Sequence, residues 1–143
     1  MFIGTHYHSL DSRNRLAVPK KFREELGKEA VVTRGLDGCL FLYSKGNWLE
    51  IQEKLSKTPL TKADARSFSR LILSGAVEVE ADKIGRILLP GFLKDSVEIK
   101  TEVAVLGVGE RIEVWAKERW ETYRQKLEEE KDSVAERLSE LGI

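Results

Sequence analysis

At 143 residues, with 34% charged and 41% apolar side chains and 24 basic residues balanced by 24 acidic ones, the chain suits one soluble domain and excludes a disordered tail. No run approaches the roughly 18 apolar residues of a spanning helix, and "MFIGTHYHSL" lacks the charged-then-apolar layout of a signal peptide, so neither membrane insertion nor export is expected. The single Cys39 excludes an internal disulfide and a CxxC metal knuckle, which fits a reducing cytoplasm.

In chain order, "FIGTHYHSL" alternates as a strand and "RLAV" is a short strand. Pro19 suits the first turn of a short helix, "PKKFREELG". "AVVTRG" and "CLFLYS" then form a hairpin across "GLDG" at 35–38. Residues 47–75 read as two helices broken at Thr58-Pro59, the second with Ala65, Phe68 and Ile72 on one stripe. The order then recurs: "AVEVEA", "RILL", a helix opening at Pro90, "EVAVLGVG", a turn at 107–110 and "RIEVWA". Trp120, Leu127, Val134 and Leu141 sit seven apart in the tail, with Tyr123 and Leu138 beside them, as in a heptad-like helix.

That recurrence is an internal duplication, which takes precedence over any other fold assignment. At an offset of 71, Asp11 falls on Asp82, Arg15 on Arg86 and Pro19 on Pro90. With one extra residue in the second copy, Val31 meets Val103, Gly35 meets Gly107, Tyr43 meets Trp115 and Trp48 meets Trp120. The expected fold is α+β: two tandem β-β-α-β-β half-modules at 1–50 and 75–120, a helical connector at 51–74, and a C-terminal helix over 121–143. All of this is expected within one domain, 1–143.

Both copies carry Asp-x-x-x-Arg in a five-residue connection between strands. An aspartate there accepts backbone N–H bonds and holds the turn. Asn14 and Gly85 precede the arginines, and these are the two residue types most at ease in a left-handed conformation. Arg15 and Arg86 then sit on a rigid ridge, where a guanidinium can meet a phosphate or the O6/N7 edge of guanine at two points. Charge adds to this, because Asp11 to Arg23 holds five bases (Arg13, Arg15, Lys20, Lys21, Arg23) against Asp11 alone. Lys117 to Glu140 holds six bases against eight acids, a net of minus two. A neutral chain so segregated presents a locally positive face to an anion.

"MFIG…LDSRNRLAVP…FR" and "ADKIGRILLP" resemble the MraZ family of bacterial transcriptional regulators over essentially the whole chain. The resemblance implies an AbrB/MazE-like swapped-hairpin fold, with the two halves paired inside one subunit to form a pseudo-two-fold barrel. It also implies a homo-oligomeric ring of eight or more subunits and DNA contact through the DxxxR loops, here Asp11, Arg15, Asp82 and Arg86. The family usually has glycine before the first arginine. Asn14 departs from that pattern, and the loop shape is expected to survive because asparagine tolerates the same backbone region.

The function expected is a non-enzymatic, sequence-specific regulator of the division and cell-wall gene cluster, repressing through direct repeats of double-stranded DNA in its own promoter. Arg15 and Arg86 are the expected base readers, and Arg13, Lys20, Lys21, Arg23 and Lys83 the phosphate contacts. Cytoplasmic, nucleoid-associated protein with no cofactor, metal, membrane or small-molecule substrate is expected. The rival is an antitoxin-like module whose basic loops bind an acidic protein. An enzyme built on Cys39 lacks a placed base, His6 and His8 lack further ligands for a metal, and Trp48 and Trp120 read as packing anchors.

Overall fold

The computed structural model describes residues 1–142. The elements run β1 (Phe2–Ser9), β2 (Arg15–Ala17), α1 (Lys20–Leu26), β3 (Glu29–Arg34), β4 (Leu40–Ser44), α2 (Lys45–Ser56) and α3 (Ala63–Ser74). They continue β5 (Val77–Glu80), β6 (Arg86–Leu88), α4 (Gly91–Ser96), β7 (Glu102–Gly109), β8 (Arg111–Ala116) and α5 (Lys117–Arg137), ending in a 3-10 turn at Ser139–Leu141. The expected β-β-α-β-β order is present twice. No helix is long and apolar enough to cross a membrane among the described residues.

The fold is α+β with swapped hairpins. Hydrogen bonding divides the strands into a six-stranded antiparallel sheet, β1-β7-β8-β4-β3-β5, and a two-stranded ribbon, β2-β6. The first strand of each copy leaves its own copy: β1 pairs with β7, and β5 pairs with β3. At the centre β4 meets β8 with Phe41 opposite Glu113, and the ribbon is centred on Leu16 opposite Ile87. Among the described residues the first two strands of each half therefore pair only with strands of the other half.

The main core lies between sheet and ribbon, closed by the short helices: Phe2, Leu16, Phe22, Val32, Leu42, Ile87, Leu93, Val105 and Ile112 are all buried there. A second cluster on the other side of the sheet gathers Phe41, Tyr43, Trp48, Ile72 and Trp115. Here Trp48 tilts against Tyr43 at 5.8 Å and Trp120 against Trp115 at 5.4 Å, so the matched tryptophans act as anchors that tie α2 and α5 to β4 and β8.

The structure departs from the sequence expectation in three places. Strand β7 extends through Gly109, which takes φ 76°, so the second hairpin turns on Gly109-Glu110 and not over 107–110. Only Ile72 of the α3 stripe is buried, while Phe68 remains exposed. The heptad-like seam is also interrupted: α5 ends at Arg137, and Leu141 lies in the 3-10 turn beyond it. Trp120 and Tyr123 pack on Trp115, but α5 has no fully buried residue, because past its second turn the helix leaves the body of the molecule.

Candidate nucleic-acid interface

Each five-residue turn is built the same way, from aspartate outward. Asp11 Oδ1 accepts the backbone N–H of Arg13 at 2.8 Å and of Arg15 at 3.0 Å, while Oδ2 accepts Arg15 Nε at 2.8 Å. Asp82 repeats this with Ile84 N at 3.0 Å, Arg86 N at 2.9 Å and Arg86 Nε at 2.8 Å. Main-chain bonds close both turns, from Asn14 N to Asp11 O and from Gly85 N to Asp82 O, each 3.0 Å. Bonds donated to the charged form favour it. The backbone N–H of Arg15 holds Asp11 below the usual carboxylate range, and that of Arg86 does so for Asp82.

Asn14 and Gly85 adopt φ 60° and 81°, the left-handed region expected for both. Their surroundings differ. Arg23 of the first copy donates Nε to Val18 O at 2.8 Å and lies across the second turn, so that a Cβ at Gly85 would stand 2.5 Å from Arg23 Nε. A side chain at Gly85 would have to displace that guanidinium as well as accept a left-handed backbone, whereas Asn14 carries its own side chain at the equivalent place.

The two turns meet. Val18 N donates to Gly85 O and Leu89 N to Asn14 O, both at 3.0 Å, so each turn carbonyl is bound by the other copy. Arg86 Nη1 lies 3.5 Å from Asp11 Oδ2. With Leu16 and Ile87 fully buried, the alternation of the ribbon turns Arg15, Ala17, Arg86 and Leu88 outward. Around this patch Arg13, Lys20, Lys21 and Lys83 are exposed, the lysines of α1 standing in its first turn after Pro19. All nine sequence-derived residues thus fall on or beside one ribbon. The arginines are less free than a bare fork, because each commits Nε to its aspartate and Arg86 also shares Nη1 with Asp11.

Sequence reasoning overlooked Ile84, Leu88 and Phe92, all exposed, which the duplication sets against Arg13, Ala17 and Lys21. The first copy presents a basic rim and the second, Lys83 apart, an apolar one. The signal lies in the positions where the aligned copies differ.

The other candidates are absorbed by packing. Cys39 is buried, its Sγ donates to Leu36 O, and burial pushes its thiol well above the ordinary range, away from nucleophilic chemistry. His6 stands edge-on to Phe22 at 5.1 Å, and burial first, then the charges of His6 and Arg23, lower the pKa of His8. No cluster of His, Cys, Asp and Glu suited to a metal occurs among the described residues.

A family model described as "MraZ protein, putative antitoxin-like" matches twice, over residues 1–71 and 72–141. The chain belongs to the MraZ family. It is 48% identical to the protein named "Transcriptional regulator MraZ" of Caldanaerobacter subterraneus over 143 residues, the full length of both. It is 48% identical to the protein of the same name from Clostridium acetobutylicum and 45% to that from Moorella thermoacetica, again over the full length of both chains. The two matched segments correspond to the two β-β-α-β-β copies, so each family repeat carries one aspartate-anchored, arginine-tipped turn.

Proposed function

We propose that this chain is a sequence-specific, DNA-binding transcriptional regulator. The observation that carries the proposal is the ribbon, which sets two rigid arginine-tipped turns side by side on one solvent-facing patch with basic side chains around it. Arg15 and Arg86 read guanine edges through their Nη atoms, Arg86 exchanging its long contact to Asp11 for the base, and Asp11 and Asp82 hold them in position through Nε. Arg13, Lys20, Lys21 and Lys83 meet phosphates and fix the register; Arg23 does so from a guanidinium already braced on Val18 and Gly85. The relatives' name supports regulation of transcription.

Residues 1–143 act as one unit, with 121–143 as a subunit contact in a homo-oligomeric ring. An α5 that leaves the body with Leu127 exposed, and the exposed Phe68 and Leu71 of α3, support further burial by a neighbouring subunit. A ring repeats the patch around its circumference, so several subunits engage direct repeats in one promoter and avidity rises with no new kind of contact. Bound there, upstream of its own gene in the division and cell-wall cluster, it represses by blocking polymerase.

The test is a gel shift with the DNA immediately upstream of its gene against a scrambled duplex. Preference for the former is expected; equal affinity for both, together with saturation by one acidic protein, would favour the antitoxin-like module. Replacing Lys20 and Lys21 with alanine should weaken binding to every sequence and flatten the salt dependence by roughly two units of slope. An unchanged slope would remove both from the phosphate contacts. Deleting 127–143 should shrink the particle in light scattering, and an unaltered mass would assign the tail elsewhere.

A further inference from the structure

The outer face of the ribbon breaks its pseudo-two-fold at one side chain. The register sets Arg15 opposite Leu88 and Ala17 opposite Arg86. The arginines occupy one diagonal of a four-residue patch, and Leu88 and Ala17 the other. The operation that exchanges the two arginines therefore exchanges a leucine for an alanine. Leu88 is 53% exposed while its neighbour Ile87 is fully buried, so the core does not require a leucine there. Ile84 and Phe92 extend the apolar character of the second copy, but Leu88 alone lies on the patch between the two arginines.

We propose that Leu88 is a specificity-determining residue: it reads the C5-methyl of a thymine beside the base pair engaged by Arg15, and this contact, absent beside Arg86, gives the binding site a direction. The inference rests on the DNA-binding function proposed above. Directly opposed residues of an antiparallel pair stand about 4.5–5.5 Å apart. A duplex advances about 3.4 Å per base along a strand. One guanidinium and one isobutyl group so spaced meet neighbouring base pairs. In the major groove the thymine methyl is the apolar group on offer, and aliphatic side chains are its partners. Ala17 ends at Cβ and does not reach as far beside Arg86. A patch with leucine on one side only distinguishes a step from its reverse, which suits subunits that follow one another around a ring and meet repeats in the same orientation.

The test uses the full-length protein and a duplex that it selects from a random-sequence pool. Each thymine of the selected site is replaced in turn by uracil, which lacks the methyl and keeps every hydrogen-bonding group. Affinity should fall about fourfold at one thymine position per site, the effect of one buried methyl-sized group. Leu88→Ala should bind thymine and uracil there equally while melting with the parent, and Leu88→Met, which keeps the apolar reach, should retain the preference. A parent indifferent to uracil everywhere, a penalty undiminished in Leu88→Ala, or a preference lost equally in both variants overturns the inference and leaves the DNA-binding function standing. Failure to select any sequence overturns that function, and the inference with it.

Discussion

Gly107→Ala is expected to melt roughly 10 °C below the parent chain, a loss of about 3 kcal/mol for a domain of this size. A Cβ at Gly107 would stand 2.4 Å from Ile3 N and 2.5 Å from Phe2 C, where ordinary contacts begin about an ångström further out. The obstacle is backbone, so no rotamer relieves it, and β1 must lift away from β7. Among the described residues strand β1 has no other sheet neighbour. Lifting its start also withdraws Phe2, 1% exposed and edge-on to Phe22 at 5.5 Å, from the main core. Thermal or urea unfolding reads the effect directly. A variant as stable as the parent would mean that β1 does not lie on β7 as described, and would remove the swapped pairing on which the juxtaposed turns depend.

Arg15→Ala is expected to reduce discrimination between the upstream duplex and a scrambled one by about 1–3 kcal/mol per engaged turn. The fold should survive, because the bonds that shape the first turn run from backbone N–H groups to Asp11 Oδ1, and alanine keeps them. What disappears is the guanidinium and its Nε bond to Oδ2 at 2.8 Å. Asp11 and Arg15 each keep 30% of the side chain exposed, and ion pairs still in contact with solvent contribute little to stability, so the melting temperature should move less than the binding preference. Fluorescence anisotropy on both duplexes separates the two effects. Discrimination left intact in a folded variant would exclude Arg15 as a base reader and return the Asp-Arg pair to a purely local role.

These two variants act on different layers of one design. Gly107 lets one copy's strand lie against the other copy, which brings the halves together. Arg15 then presents a functional group at the place where they meet. The braced Arg23 belongs to both layers, since it packs over the second turn while keeping its charge at the edge of the patch.

Much of the fold was legible in the residues themselves, because its determinants are local or repeated. Asn14 and Gly85 signal a left-handed turn from their own conformational preferences. The alternation of "FIGTHYHSL" and "AVEVEA" signals strands, and a self-match of unlike residue types signals duplication before any contact is known. The aspartates, arginines and basic rim were legible for the same reason, as residue chemistry at fixed spacing. The swapped-hairpin pairing came from family resemblance; no local pattern states that β1 belongs to β7.

Other features depend on which surfaces meet. That Arg23 lies over Gly85, that Arg86 reaches across to Asp11, and that α5 quits the body after Trp120 and Tyr123 are set by partners distant in sequence. The opposition of Leu88 to Arg15 is of the same kind, since register between strands some seventy residues apart is decided by the joint burial of Leu16 and Ile87. Spacing along a chain encodes which groups a protein owns and how each turn bends. Only closure of the core decides which of those groups stand beside one another, because burial is a property of the whole surface and not of any segment.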